Sequence, residues 1–189
     1  MAPVSFDSSV MQAVADHRTA WATAVAKATT TIGTTPAVLV AVGLVAVVVV
    51  VVLRAYRAAL AALLALLIAL VTADLLKHLF ARPRPPFHLA LIWVSGEAFP
   101  STHAAVTSAI AVAVLLAYPW SSARTAGAAA ATAALLLVFV GVCMVYVGAH
   151  WPTDVLAGWL IGGAIGYVVG RTLRRRLPRR EPTEPATVR

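Results

Sequence analysis

The chain has 189 residues, of which 61% are hydrophobic and only 12% are charged, and its mean hydropathy is +0.88. This composition lies far outside that of soluble globular proteins, so it excludes a soluble enzyme and predicts an integral membrane protein. A bilayer core takes about 20 apolar residues per helical span, so this length allows about five spans and no separate soluble catalytic domain. The long unbroken apolar runs favour helices over a closed barrel.

The formal net charge of +8 is concentrated near the C-terminal end of the sequence, because residues 171–189 hold seven arginines against two glutamates. Basic residues after a membrane helix are typical of a cytoplasmic segment beside anionic headgroups. We therefore expect contact with the lipid bilayer and no nucleic-acid partner. The predicted division is a membrane-embedded domain over residues 1–173 and a basic, disordered cytoplasmic tail over residues 174–189.

The first predicted element is an amphipathic interfacial helix over residues 8–28, with Met11, Val14, Trp21 and Val25 on one face. It lacks the basic start and continuous apolar core of a signal peptide. Five predicted transmembrane helices follow, at about residues 36–53, 58–76, 101–118, 125–149 and 153–170. The predicted fold is therefore an all-α, polytopic membrane helix bundle.

The distribution of basic residues predicts the orientation of this bundle. Ten of the 15 lysines and arginines lie in the turn at 54–57, at position 124 or in the C-terminal tail, and five lie on the opposite side. The positive-inside rule places the larger group in the cytoplasm. The proline-rich loop over residues 77–100 is then extracytoplasmic.

Polar side chains converge on the predicted outer ends of the helices. They are Asp74, Lys77, Arg82, Arg84, Ser101, His103, His150 and Asp154. Ionisable residues in or beside membrane helices are costly unless paired or solvated, so this cluster predicts a functional site. Snorkelling at the interface is the alternative for each single residue, but the recurrence at three helix ends disfavours it.

His150 and Asp154 lie four residues apart where the last span begins. A carboxylate one turn into a helix can accept a hydrogen bond from the preceding imidazole and hold it in one tautomer. The other ring nitrogen can then attack phosphorus or act as a base.

The third span opens with the segment Ser-Thr-His at residues 101–103, directly after a proline. Unpaired N–H groups at a helix N-terminus bind anions, which predicts a phosphate cradle. His103 is placed to protonate a leaving oxygen, and Lys77 with Arg84 supplies positive charge for phosphoryl transfer. We expect Asp74 to pair with Lys77 rather than to take part in catalysis.

We expect no metal ion and no other cofactor. The acidic residues are too few and too scattered for a magnesium site. Two histidines and one carboxylate are the only conceivable zinc ligands.

Three motifs occur in order along the chain. They are Lys77-x6-Arg84-Pro85, Pro100-Ser101-Thr102-His103 and His150-x3-Asp154. Together they resemble the signature motifs of the type 2 phosphatidic acid phosphatase superfamily of integral membrane lipid phosphatases, which vanadium haloperoxidases share. Residues 147–158 are similar to the third block of that family.

The resemblance implies a role for each matching residue. His150 would be the nucleophile that forms a phosphohistidine, Asp154 its orienting partner and His103 the general acid. Phosphate oxygens would be bound by Lys77, Arg84 and Ser101, to which we add Thr102 and Arg82 as further candidates. The lipid phosphatases of the family work without a metal, which agrees with the expectation above.

This chain departs from the family pattern at two positions. Thr102 stands where the second motif usually has glycine, and Met144 where the third block has an arginine. A charge-assisted hydrogen bond is worth about 1.5–3 kcal/mol. We expect Arg82 to replace the lost charge, because prolines beside Arg84 favour an extended chain in which residues two apart face the same side. The alternative is that Arg82 is an exposed interfacial charge.

Glycine recurs at every fourth position of the last span, at Gly158, Gly162, Gly166 and Gly170. Small residues at this spacing permit close helix packing. Asp154 extends the same stripe toward the site, so we expect the glycine face to pack inside the bundle rather than to form a dimer seam. The oligomeric state is left open.

The predicted function is metal-independent hydrolysis of a polyprenyl phosphate or diphosphate at the outer face of the cell membrane. Phosphatidic acid, phosphatidylglycerol phosphate and polyprenyl-linked sugar phosphates are alternative substrates. Met144 keeps open a catalytically weak lipid-phosphate binder. A proton-coupled transporter is disfavoured, because the first and fourth spans carry almost no polar residues.

Overall fold

The computed structural model describes residues 4–176, and all regular secondary structure in this range is helical. The elements are α1 (Ser5–Asp16), α2 (Ala20–Thr34), α3 (Pro36–Val52), α4 (Tyr56–Phe80), a short 3-10 helix (Phe87–Leu89), α5 (Thr102–Ala117), α6 (Ala123–Tyr146) and α7 (Pro152–Arg176). The predicted all-α fold is confirmed for this part of the chain.

Three helices, α4, α6 and α7, are each long and apolar enough to cross a membrane. The pair α2 and α3 meets at a bend of 67° and meets the same criterion only as one broken span. Helix α5 has 16 residues and is therefore about 24 Å long, shorter than the apolar core of a bilayer. Length and composition thus support three or four spans in the described region, and the count of five stays a prediction.

The predicted interfacial helix over residues 8–28 is two helices in the structure, because α1 ends at Asp16 and α2 begins at Ala20. Arg18 lies in the break, where its guanidinium donates hydrogen bonds to the carbonyl oxygens of Leu89 at 2.7 Å and Tyr146 at 2.9 Å. These long-range bonds favour the break, which no glycine or proline marks in the sequence.

The core of the bundle is formed by α4, α5 and α7, whose facing residues are small. Helix α4 buries Ala61, Ala65, Ala69 and Ala73, and α5 buries Ala105, Ala109 and Ala113. A Cβ atom on Gly162 would lie 2.0 Å from the carbonyl oxygen of Ala105, and one on Gly166 would lie 2.4 Å from that of Ala109. The prediction that the glycine face packs inside the bundle is confirmed.

Gly162→Ala should lower the unfolding temperature in detergent, because the added methyl group forces α5 and α7 apart. We expect a loss of about 1–3 kcal/mol, the usual cost of overpacking a core. Gly163→Ala is the matched control, since a Cβ atom there meets nothing within 4 Å. Equal unfolding temperatures for the two variants would contradict the close α5–α7 contact.

Helix α7 continues through Arg176, three residues past the predicted domain boundary at 173. Arginine is a good helix former, so the basic residues at 174–176 extend the helix. The rest of the predicted tail, residues 177–189, lies outside the described residues.

Candidate active site

Five segments meet at one end of the bundle and carry the polar residues singled out in the sequence. They are the end of α4, the loop over residues 81–101, the start of α5, the turn over residues 147–151 and the start of α7. Backbone hydrogen bonds join several of them: the Leu91 N–H donates to the Val147 carbonyl at 2.8 Å, and the Ser101 N–H donates to the Asp154 carbonyl at 3.0 Å. The site therefore has a backbone framework of its own.

The imidazole of His150 is buried and held in one orientation. Its Nδ1 lies 2.9 Å from the carbonyl oxygen of Ala98 and 3.6 Å from Oδ2 of Asp154. A carbonyl oxygen only accepts hydrogen bonds, so Nδ1 carries the proton and Nε2 keeps its lone pair. The tautomer expected of a nucleophile is thus set by a backbone carbonyl.

Asp154 faces His150 as predicted, but at 3.6 Å the contact is longer than an ordinary hydrogen bond, and its carboxylate has a closer partner. Its Oδ2 accepts the N–H of Trp151 at 2.9 Å, which caps the N-terminus of α7 in the manner of a capping box. The carboxylate acts on the ring through its charge at 3.6 Å.

Burial lowers the pKa of His150, and the nearby cations Arg84 and Lys77 lower it further, while Asp154 opposes the shift. Desolvation disfavours the charged form of a buried imidazole. The ring is therefore neutral at neutral pH, which is the form that can donate an electron pair.

Arg84 lies directly beside the unprotonated nitrogen of His150, because its Nη1 donates a hydrogen bond to Nε2 of the imidazole at 3.3 Å. The guanidinium is held there by carbonyl oxygens, since Nη1 donates to Ala149 at 2.6 Å and Nε donates to Gly96 at 3.0 Å. A phosphoryl group that reacts with Nε2 would therefore lie within reach of the Arg84 guanidinium.

Lys77 is half-buried at the end of α4, and its ammonium group donates to the carbonyl oxygen of Glu97 at 2.6 Å. The predicted pair between Asp74 and Lys77 is not what the structure shows. Asp74 lies 3.6 Å from Nε2 of His78, and both side chains are about 70% exposed. Position 78 lies one helical turn after 74 on the same face, whereas the Lys77 ammonium turns toward the loop.

Ser101 caps α5, because its hydroxyl oxygen accepts the N–H of Ala104 at 3.4 Å. Its hydroxyl group donates to the sulfur of Met144 at 3.9 Å, and both residues are buried. One N–H of the predicted phosphate cradle is therefore occupied by the serine itself. The sulfur of Met144 thus accepts the hydrogen bond that the Ser101 hydroxyl group donates.

The other two residues of the second motif lie on the more open side of α5. His103 is exposed and lies next to the backbone of Gly33 in α2. Thr102 lines a groove beside α4, where Asp74 and Leu75 form part of the wall. A second cavity of about 350 Å³ lies beside Arg84 in the loop.

Arg82 lies elsewhere than predicted. Only 1% of the residue is exposed, and its guanidinium donates hydrogen bonds to the carboxylates of Asp7 and Asp154 and to the Thr153 hydroxyl. The prediction that Arg82 and Arg84 face one phosphate is therefore wrong for this structure. Two buried carboxylates, one of them on α1, accept hydrogen bonds from Nη1 and Nη2 of Arg82.

Sequence reasoning did not single out Asp7 and Arg18. Asp7 is fully buried and contacts Arg82 and Thr153. One signal was available, since Asp7 lies four residues before Met11 and so extends the apolar face of that helix. A carboxylate on a face that becomes buried needs a partner.

Between residues 4 and 176, no group of three or more His, Cys, Asp or Glu side chains is arranged to hold a metal ion. The groups gathered around His150 are two cations, one carboxylate and backbone carbonyls. This arrangement suits an anionic ligand that reacts with Nε2 of the imidazole.

Two curated proteins are similar to part of this chain. Undecaprenyl-diphosphatase from Sulfolobus acidocaldarius is 34% identical over 99 residues, which are 49% of this chain and 44% of that protein. Lipid A 1-phosphatase from Rhizobium etli is 37% identical over 100 residues, which are 48% of this chain and 40% of that protein. The matched region spans less than half the length of each relative.

The fold as a whole is similar to a crystal structure of a transmembrane PAP2-type phosphatidylglycerolphosphate phosphatase from Bacillus subtilis. The TM-score is 0.79 at 23% identity, over 93% of this chain and 88% of that protein. Together with the apolar helices, this likeness shows a multi-pass membrane protein. The family model of the PAP2 superfamily matches residues 58–178, which include all three motifs and more than half of the chain. The predicted resemblance is confirmed, and the chain belongs to the PAP2 superfamily.

Proposed function

We propose that this protein is a membrane lipid phosphatase that hydrolyses a polyprenyl phosphate or diphosphate through a phosphohistidine. The observation that carries the proposal is the unprotonated Nε2 of His150, which accepts a hydrogen bond from the guanidinium of Arg84 at 3.3 Å. A nucleophile with a fixed tautomer beside a fixed cation is the arrangement that phosphoryl transfer requires.

In the proposed reaction, Nε2 of His150 attacks phosphorus and the bond from phosphorus to the leaving oxygen breaks. His103 gives a proton to that oxygen. Lys77 and Arg84 bind the equatorial phosphate oxygens, on which negative charge is spread in the transition state. Water then attacks phosphorus and gives a proton back to His103 while the bond from phosphorus to Nε2 breaks, which releases inorganic phosphate and restores the neutral imidazole of His150.

Support for a lipid substrate comes from two directions. The site lies at the ends of apolar helices, where a headgroup reaches the water and its chains stay in the bilayer. Both curated relatives and the structural neighbour are named as phosphatases. The substrates in their names are undecaprenyl diphosphate, lipid A and phosphatidylglycerolphosphate. We place a polyprenyl diphosphate first, and the positive-inside rule places its reaction on the extracytoplasmic face of the cell membrane.

Phosphate release by purified protein in detergent tests this function. The panel contains polyprenyl monophosphate and diphosphate, phosphatidic acid, phosphatidylglycerol phosphate and a polyprenyl-linked sugar phosphate. We expect the highest kcat/KM for a polyprenyl substrate, unchanged when EDTA is present. Binding of these lipids without turnover would favour the alternative of a catalytically weak lipid-phosphate binder. The presence of Met144 in place of an arginine supports that alternative. Loss of activity in EDTA, restored by zinc or magnesium, would overturn the metal-free mechanism.

The pH–rate profile of phosphate release should be bell-shaped. Attack requires neutral His150, and burial lowers the pKa of that ring. On the acid side, the rate should therefore fall only at a pH below the ordinary histidine pKa of about 6.5. Deprotonation of His103 produces the alkaline limb. His103→Ala should remove the alkaline limb and lower the maximum rate by about 10²- to 10⁴-fold. A profile of unchanged shape and height would reject His103 as the general acid.

A further inference from the structure

Three buried charged side chains form a cluster beside the His150 imidazole. Asp7 from α1, Arg82 from the loop and Asp154 from α7 are each at most 1% exposed. The guanidinium of Arg82 bridges the two carboxylates. We call these three residues the charge cluster.

Asp7 also holds the first turn of α7 directly. Its Oδ1 accepts the N–H of Thr153 at 3.0 Å, and its Oδ2 accepts the Thr153 hydroxyl at 2.7 Å. The same hydroxyl accepts from Arg82 at 2.8 Å. A carboxylate at a helix N-terminus is stabilised by the unpaired N–H groups and the helix dipole. Asp7 thus anchors the turn that carries Asp154.

Helix α1 is docked on the site by apolar contacts as well. Met11 is fully buried and packs in one group with Leu89, Ala98 and Trp151. Ala98 provides the carbonyl oxygen that accepts from His150, and Trp151 directly follows that histidine. The position of Asp7 is therefore set by its packing on the active-site framework.

The charge cluster has a net charge of −1. Burial opposes ionisation of Asp7, but its hydrogen bonds with Thr153 and Arg82 outweigh burial and lower the pKa of the carboxyl group. One guanidinium is thus shared between two carboxylates. Arg82 contacts Asp154 through Oδ1, while Oδ2 lies on the side of His150.

We propose that Asp7 is a positioning residue that acts on His150 through Arg82 and Asp154. By binding Arg82 from the other side, Asp7 leaves the Asp154 carboxylate with an uncompensated negative charge next to the imidazole. This inference rests on the proposed function, because it concerns the charge that the ring acquires in that reaction.

The physical reason lies in the first step of the reaction. When Nε2 bonds to phosphorus while Nδ1 keeps its proton, the ring becomes cationic, and nearby negative charge stabilises it. Without the charge of Asp7, Arg82 would pair with Asp154 alone and the charge cluster would be neutral. Substrate binding depends on Lys77 and Arg84, so the loss should appear in kcat rather than in KM.

Asp7→Asn is the test variant, because it removes the charge and keeps an oxygen for the Thr153 N–H. We expect kcat to fall by about 10- to 100-fold, the range for one charge-assisted contact, with KM within about twofold. The acid limb should move to lower pH, since His150 then faces Arg84 and Lys77 with less opposing negative charge from α1 and α7. Asp7→Glu, which keeps the charge, should leave the acid limb of the pH–rate profile at the wild-type pH.

Binding of orthovanadate and of inorganic phosphate gives a readout that needs no turnover. Vanadium accepts a fifth ligand from the nucleophile and imitates the transition state, whereas phosphate is held by the cations alone. Asp7→Asn should weaken vanadate binding by at least about 10-fold and leave phosphate binding unchanged. Asp16→Asn is the matched control on the same helix, since that carboxylate is exposed. Met11→Ala loosens α1 without changing charge.

The outcomes separate this inference from the proposed function. A wild-type protein that neither releases phosphate from any lipid nor binds vanadate would overturn both. Active wild-type protein with an Asp7→Asn variant of equal kcat and vanadate affinity would overturn the role of Asp7 alone. If Asp7→Asn and Met11→Ala weaken vanadate and phosphate binding in the same proportion and leave the acid limb in place, Asp7 has only a structural role and the inference is wrong.

Discussion

His150→Ala should abolish phosphate release, with a fall in kcat of at least about 10⁴-fold, the loss seen when a nucleophile–base unit is broken. The variant lacks the atom that bonds to phosphorus, and among the described residues His150 is the histidine that lies within hydrogen-bond reach of Arg84. Steady-state phosphate release and acid-free quenching of a reaction with ³²P-labelled lipid measure the effect. Label should remain on the wild-type protein as base-stable phosphohistidine and be absent from the variant.

The control for this experiment is His88→Ala, which removes an exposed histidine from the loop over residues 81–101. It should keep the wild-type rate and the label. The unfolding temperature of His150→Ala should stay close to that of the wild type, because the deleted ring leaves only the Ala98 carbonyl without its donor. Undiminished turnover by the alanine variant would eliminate the phosphohistidine mechanism.

Arg84→Lys should lower kcat/KM by about 10²- to 10³-fold, although it keeps the charge. The guanidinium is held by Nε and Nη1 on the carbonyls of Gly96 and Ala149, and an ammonium cannot reproduce this planar arrangement beside Nε2 of His150. Loss of one fixed donor to transition-state charge costs a factor of this size. The kinetics of phosphate release at varied lipid concentration measure it.

Arg124→Lys serves as the matched variant, since that arginine is exposed in the first turn of α6, outside the residues that form the site. Its kcat/KM should be unchanged. An Arg84→Lys enzyme within about twofold of the wild type would mean that position 84 contributes charge alone, and that lysine suffices for the phosphate.

The helices could be predicted because their signal is local. Apolar runs in the sequence place five segments to within a few residues of α3 to α7, since transfer of each residue into lipid depends on its own side chain. The glycine stripe likewise predicted which face of α7 packs against α5, because a Cβ atom on Gly162 would collide with the Ala105 carbonyl oxygen. The break at Arg18 escaped prediction, because its cause is hydrogen bonding to distant carbonyls.

The candidate site divides in the same way. The three motifs identified the family and the residues around His150, because residue type and spacing are preserved in the sequence itself. The sequence did not show that the Ala98 carbonyl accepts from the imidazole, since a backbone carbonyl has no residue type to recognise. Asp154 was expected to make that hydrogen bond, and its engagement by the Trp151 N–H depends on how α7 begins.

Arg82 shows most clearly what only the tertiary structure decided. Extended-chain geometry predicted that it accompanies Arg84, whereas folding brings Asp7 and Asp154 against it from positions 75 and 72 residues away. A buried cation binds whichever carboxylates the packing places beside it, because an unpaired charge in the interior costs several kcal/mol. Sequence alone therefore determined the membrane fold, the family and His150 as the candidate nucleophile. The docking of α1 decided that Arg82 is paired with the carboxylates of the charge cluster, while backbone carbonyls hold Arg84 beside Nε2 of His150.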